Sequence, residues 1–160
     1  MTSKTERAYC PICGADVETP LDTLASLTEA PGVIAAALRE APASARQGWS
    51  PHEVATHLAD TEVVTGWRVR QILAVDEPDI QPYDQDAWVA ALHYSRRDLA
   101  VALEAFAAAR RANVEILGLL SEAEWERAYH YAEYGRLTLQ QKIRHISDHD
   151  LAHLRQIRGG

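Results

Sequence analysis

The stretch Arg144-His-Ile-Ser-Asp-His-Asp-Leu-Ala-His-Leu-Arg-Gln-Ile157 decides how this chain folds. Leu139, Ile143 and Ile146 lead an apolar stripe that runs on to Ile157, and His149 and His153 stand in or beside it at i, i+4 spacing. An imidazole on a core-facing stripe is costly unless a partner engages its nitrogens. A metal ion would engage several at once. Two histidines four residues apart project from one helix face, and neutral imidazole suits zinc, nickel, copper and iron.

Working outward, helix signals dominate. Thr138-Leu-Gln-Gln141 forms a capping box ahead of the last helix, which runs to about 158, and Arg155 and Arg158 complement its C-terminal dipole. Ser50-Pro51-His52-Glu53 opens another helix, with serine at the N-cap, proline at N1 and glutamate at N3. That helix extends to about 75 and is expected to bury Val54, Leu58, Val64, Trp67 and Ile72, with His57 near its start. A first helical region covers about 21–41, interrupted near Thr28-Glu-Ala-Pro31, where proline suits the first turn of a restarted helix. Ser95-Arg-Arg-Asp98 caps a third long helix over about 96–120, rich in alanine and leucine. Short helices are expected near 84–91 and after Ser121, and Tyr129–Gly135 reads as an aromatic loop.

The reading is all-α: a four-helix bundle with short extra helices in its connections and an N-terminal cysteine-bearing extension. The extension spans 1–19 and the bundle 20–160. The histidine levels constrain topology. His57 and the midpoint of His149 and His153 each lie about 10 Å from a helix end at ~1.5 Å per residue, so antiparallel packing aligns them. The short 42–49 link makes the first two long helices antiparallel neighbours, and the long 76–94 connector is free to cross the bundle. Up-down-down-up satisfies both conditions.

Composition narrows the function. With 160 residues, 47% hydrophobic and 24% charged, the chain suits one folded domain with a real core. A net charge of −7 argues against a sequence-independent grip on nucleic acid. No apolar run approaches the roughly 20 residues of a membrane span, and Met-Thr-Ser-Lys-Thr-Glu-Arg lacks a signal peptide's apolar stretch. A cytoplasmic location is therefore expected, with no membrane partner. In a reducing compartment, Cys10 and Cys13 in Cys-Pro-Ile-Cys-Gly suggest a metal or redox motif rather than a disulfide staple.

Four segments in order carry a family resemblance: Trp49-Ser-Pro-His-Glu-Val-Ala-Thr-His-Leu-Ala-Asp60, Pro82-Tyr-Asp-Gln-Asp-Ala-Trp88, Gly135-Arg-Leu-Thr-Leu, and His145-Ile-Ser-Asp-His-Asp-Leu-Ala-His-Leu-Arg-Gln-Ile157. Together they resemble the DinB/YfiT-like superfamily over about 20–160. The resemblance implies a four-helix bundle whose three histidines, here His57, His149 and His153, bind a divalent metal. Zinc or nickel stands foremost, with iron or manganese as further candidates. It also implies transfer of a low-molecular-weight thiol (bacillithiol, mycothiol or glutathione in members with assigned activity) onto a small electrophile, and related bundles include a mycothiol-dependent maleylpyruvate isomerase. Cys10 and Cys13 are not part of the usual pattern.

The alternatives stay open at this level. Three protein ligands leave a coordination position free, so the ion could hold a thiolate or activate a water, and hydrolysis is the competing reaction. A non-enzymatic metal-binding or stress-associated interaction protein is the competing class. Asp60 and Glu53 share the face of His57; either they orient its second nitrogen, or Asp60 is a solvated charge and Glu53 a cap. His145 is expected to play a supporting role, and Asp148 or Asp150 either bonds a ligating histidine or is exposed. His52, His93 and His130 read as surface residues, and Tyr129, Tyr131 and Tyr134 either border a cleft or pack as a loop. The cleft is expected at the N-terminal end of the helix bearing His57. Cys10 and Cys13 make half a zinc knuckle, completed by other ligands in the chain or by a symmetry mate in a homodimer; the alternatives are a redox dithiol and a vestige.

If the bundle is self-sufficient, removing residues 1–19 leaves helical circular dichroism and histidine-bound metal unchanged. Any second metal fraction should vanish in Cys10→Ser/Cys13→Ser alone. Metal analysis checks this, and loss of the histidine-bound ion in that double mutant would place the cysteines in the active site.

Overall fold

A computed structural model describes residues 20–41 and 48–159. Cys10 and Cys13, with the whole 1–19 extension, lie outside the described residues. The four long helices are α1 (Pro20–Glu40), α2 (Pro51–Ala74), α4 (Leu99–Gly118) and α6 (Leu139–Ile157). Between them come α3 (Gln85–Ala91), a 3₁₀ turn over Tyr94–Arg96, and α5 (Glu122–Trp125). Strands β1 (Asp79–Ile80), β2 (Ala128–Tyr131) and β3 (Gly135–Thr138) form a small sheet in the order β1-β2-β3. No helix among the described residues is long and apolar enough to cross a membrane.

The capping boxes form as expected. The Ser50 hydroxyl accepts from the Glu53 amide while Glu53 reaches back to the Ser50 N–H, and Thr138 and Gln141 repeat the arrangement. Ser121 and Glu124 do the same for α5. The cap of α4 is Asp98, not Ser95: its carboxylate accepts from the amides of Ala100 and Val101, and Ser95 lies in the 3₁₀ turn. A carboxylate also meets the helix dipole better than a hydroxyl does.

Two further expectations are corrected. Helix α1 passes through Pro31 unbroken. Proline has no N–H, so the Leu27 carbonyl one turn earlier loses its helical partner. Arg110 donates to that carbonyl at 3.0 Å, which lets the helix continue. The stretch read as an aromatic loop is a hairpin: Tyr129 pairs with Leu137 and Tyr131 with Gly135, which adopts φ 71° at the turn. Tyr129 and Leu137 are buried while His130 and Arg136 are exposed, in strands of only four residues each. Asp79 pairs with His130 in the parallel β1-β2 contact, so the 76–84 connector is tied to the hairpin.

The bundle runs up-down-down-up. The N-terminal halves of α2 and α4 share one apolar cluster (Val54, Leu58, Ala102, Phe106) with the C-terminal ends of α1 and α6 (Ile34, Ala37, Ile157). At the other end, Leu27, Val69, Ile72, Leu117, Ile143 and Ile146 pack with Trp125, Tyr129 and Leu137. Helices α1 and α2 are antiparallel but pack chiefly on α4 and α6, so they lie across the bundle rather than side by side. Trp67 faces out, 64% exposed, because the core-facing arc of α2 passes through Thr65, Gly66 and Val69 instead. At Gly66 an added Cβ would meet the Asn113 amide oxygen at 2.6 Å, so glycine here admits close approach of α4.

A buried polar layer separates the two apolar clusters. Arg110, 2% exposed, meets the Asp150 carboxylate at 2.7 Å and Glu62 at 2.8 Å. Asn113 donates to the Glu62 side chain at 2.8 Å and to its carbonyl at 3.2 Å. Burial pushes Asp150 up to about 6 even though Arg110 pulls it down. Removing the cation should therefore be costly. Arg110→Met is expected to lose about 3–5 kcal/mol of stability, since it strands two carboxylates in the core. Asp150, raised above its unfolded value by burial, destabilises the fold only when ionised, so the loss should be greater at pH 8 than at pH 5. Thermal unfolding at both pH values checks the magnitude and the sign.

Candidate metal centre and adjoining cavity

His57 sits on the second turn of α2 and is 1% exposed; His149 and His153 lie one turn apart near the end of α6. Antiparallel packing brings the three imidazoles together, as the levels along the two helices predict. The His57 and His149 Nε2 atoms are 3.2 Å apart, and so are those of His149 and His153. One ligand nitrogen from each of the three lies within 4.8 Å of the others. Two nitrogens each ~2.0–2.1 Å from one tetrahedral ion stand about 3.3–3.4 Å apart, close to the His57–His149 and His149–His153 separations.

Electrostatics keep the cluster in its ligating form. Burial, then the neighbouring His153, lowers His57 to about 4, against a smaller opposing pull from Asp60. Burial also lowers His149 to about 2, helped by His153, His57, His145 and Arg110. His153 is lowered by burial, and its hydrogen bond to Gln156 opposes the shift. That bond, 2.8 Å from Nδ1 to the Gln156 oxygen, places the proton on Nδ1 and leaves Nε2 as a lone-pair donor. Trp49 stacks on His153 at 6.4 Å between ring centroids and tilts over His57 at 5.0 Å, covering the N-terminal end of α2.

The opening is elsewhere than the sequence reading placed it. A cavity of about 190 Å³ starts at His149 and runs along Thr61, Val64, Thr65 and Arg68 of α2 toward the hairpin. Tyr129, Tyr131 and Tyr134 line it, so the aromatic segment does border the cleft, and His145 stands in its wall. Tyr83 belongs to the lining as well, packed on Trp88 at 4.4 Å between ring centroids. Its hydroxyl is 3.2 Å from the Thr61 hydroxyl, which is 3.3 Å from His57 Nε2.

The supporting residues divide differently from the sequence reading. Asp60 is held by Arg97, with 2.9 and 2.8 Å to its two oxygens, and acts on His57 through its charge rather than through a hydrogen bond. Glu53 is the capping residue. Asp148 pairs with Arg144 at 3.2 Å and Asp150 with Arg110, so Asp150 serves the bundle interior. His52 is not a bare surface residue, because its Nε2 donates to the Arg97 carbonyl at 2.7 Å. His130 is exposed and pairs with Glu77 at 3.1 Å; His93 is exposed at a left-handed position, φ 52°. Thr61, Arg68, Tyr83 and Lys142 escaped notice in the sequence, although spacing marks two of them. Thr61 follows His57 by four residues, and Lys142 precedes His149 by seven.

Comparison with known proteins agrees with this geometry. YfiT from Bacillus subtilis, described provisionally as a metal-dependent hydrolase with an unusual four-helix bundle topology, superposes with a TM-score of 0.81 at 21% identity, over 86% of this chain and 83% of that one. A protein of Oceanobacillus iheyensis, named provisionally as a metal-dependent hydrolase, is 26% identical over 110 residues. The match takes in 69% of this chain and 63% of the relative's length, so the chain spans less than two thirds of that protein. The family profile matches residues 18–157, nearly the whole chain. On that match, the chain belongs to the DinB superfamily.

Proposed function

We propose that this chain is a divalent-metal-dependent hydrolase of a small-molecule substrate, with the ion held by His57, His149 and His153. The observation that carries the reading is the convergence of three imidazoles, His57 buried and His149 and His153 half-buried, with His149 lining a cavity. When bound there, a divalent ion would supply Lewis acidity and lower the pKa of a water at its free position. The protein's own groups divide the remaining work. Gln156 fixes the tautomer of His153, and Trp49 packs on the His57 and His153 rings. Thr61 and Tyr83 bring two hydroxyls to the border between imidazoles and cavity, where they can hold a substrate or water oxygen. The carboxylate base expected for hydrolysis is not free at Asp60, because Arg97 engages both of its oxygens; Glu133 lines the cavity and is exposed.

Thiol transfer, ranked first by the resemblance alone, here comes second, because both named relatives are described as hydrolases. The two readings share the metal site and separate on one reagent. Metal-loaded protein screened against esters, amides and lactones should turn over without added thiol. Turnover that requires a low-molecular-weight thiol and an electrophile would replace hydrolysis with transfer. His149→Ala is expected to lose both the ion and the activity while its helical circular dichroism survives, since the helices carry their own caps and apolar clusters. An unfolded variant, or one that keeps its metal, would contradict the assignment.

A pH prediction follows from the same imidazoles. His57 and His149 are lowered to about 4 and about 2 from 6.5, so below pH 6.5 the unfolded chain binds protons that the fold does not. Stability of the metal-free protein is present in full above pH 6.5 and falls as the pH drops toward 4. Each such imidazole removes about 1.4 kcal/mol per pH unit. Chemical denaturation between pH 7.5 and 4.5 measures this slope, and His149→Ala should make it shallower.

A further inference from the structure

Lys142 is the least expected residue in the cavity wall. It is 6% exposed, and no hydrogen bond or ion pair reaches its ammonium group among the described residues. A buried, unpaired ammonium is costly. The neighbouring charges do not relieve it. Arg68 lines the same cavity and repels Lys142 more than Glu62 attracts it, and Glu62 is already engaged by Arg110 and Asn113. Burial and Arg68 together lower Lys142 to about 7, so this amine sits near the point where an incoming anion would fix its charge.

Arg68 is held in place rather than free to swing away. Its guanidinium donates to the Gln81 carbonyl and lies 5.6 Å from the centres of both the Tyr83 and Tyr131 rings. Two cationic side chains on one wall therefore face a space of about 190 Å³, roughly six waters at ~30 Å³ each, that begins at His149. The one carboxylate among the cavity residues, Glu133, is exposed, where solvent screens it.

We propose that Lys142 and Arg68 form an anion subsite that binds a carboxylate of the substrate, so that the substrate is a small carboxylic acid derivative with its second functional group at His149. The reacting end of this assignment rests on the metal-site reading above; the carboxylate end rests on the cavity. A carboxylate between the two cations ends their mutual repulsion and gives Lys142 the partner it lacks. An Arg fork matches a carboxylate in shape as well as charge.

The test uses benzoate, its neutral isostere benzamide, and phenylphosphate, titrated by calorimetry into full-length protein in metal-loaded and metal-stripped forms. Benzoate is expected to bind both forms and to bind benzamide's site at least tenfold more tightly than benzamide does. Lys142→Met should weaken benzoate at least tenfold, with metal content unchanged. Arg68→Gln, at a half-buried position that tolerates change more readily than Lys142, should do the same. His149→Ala should lose the metal but keep the benzoate affinity of the stripped protein, so failure of the metal site and failure of the anion subsite read out separately. Benzoate affinity unchanged from the unsubstituted protein in both cation variants, or no benzoate binding to the stripped protein, overturns the subsite. Phenylphosphate binding more tightly than benzoate overturns its assignment to a carboxylate.

Discussion

Arg110 is the constraint on which the rest depends. From α4 it reaches the Leu27 carbonyl of α1, the Glu62 carboxylate of α2 and the Asp150 carboxylate of α6, so one guanidinium ties its own helix to the other three long helices. Taken alone, such a buried network contributes little net stability, because desolvation offsets most of the Coulombic gain. Its consequence is register. Glu62 lies five residues beyond His57, and Asp150 is adjacent to His149. The same pairing that neutralises the interior therefore sets how far α2 and α6 slide past each other. A one-turn slip would move an imidazole about 5.4 Å along its axis. It would also strand both carboxylates in an apolar cluster. Apolar side chains tolerate such a slip far better than a forked ion pair does, so the relative placement of His57 and His149 depends on Arg110.

This explains which parts of the molecule were legible in the sequence. The capping boxes at Ser50 and Thr138 are local, and local chemistry reads directly. The imidazole triad was legible because helix geometry converts spacing into position, and antiparallel packing of two helices needed no knowledge of the others. The charged layer was not legible. Glu62, Arg110 and Lys142 carry the residue types of a solvated face, and nothing in a one-dimensional pattern shows that their partners come from other helices. Trp67 illustrates the converse. It looks like a core residue, yet the interior beside it is polar, and Gly66 and Asn113 take the close contact instead. Pro31 belongs to the same class of error, since a proline breaks a helix only where no distant donor satisfies the carbonyl it frees. The hairpin escaped because strands of four residues, one rich in tyrosine, carry too little periodicity to oppose a loop reading.

The site is asymmetric, and that asymmetry bears on chemistry. On one side Trp49 lies over His153 and His57, replacing water with an aromatic face. On the other, the cavity beyond His149 is bordered by Thr61, Tyr83, Arg68 and Lys142, so it offers hydroxyls near the imidazoles and cations farther along. The order of groups along that path, metal ligands, then hydroxyl donors, then fixed positive charge, suits a molecule with a reactive centre at one end and an anion at the other.

The three imidazoles also settle which partner bears the cost of assembling the centre. Their burial lowers His57 and His149 well below the ordinary histidine value, so the folded protein holds them neutral at neutral pH with ring nitrogens already close together. An ion arriving there need not expel protons or draw helices together, since the apolar clusters at either end of the bundle and the Arg110 layer between them exist without it. The protein contributes the preorganisation on folding, and binding energy that would otherwise order the ligands is left to hold the ion. If an ion binds at a site built this way, the three imidazole nitrogens are the fixed quantity and the identity of the ion is the variable one.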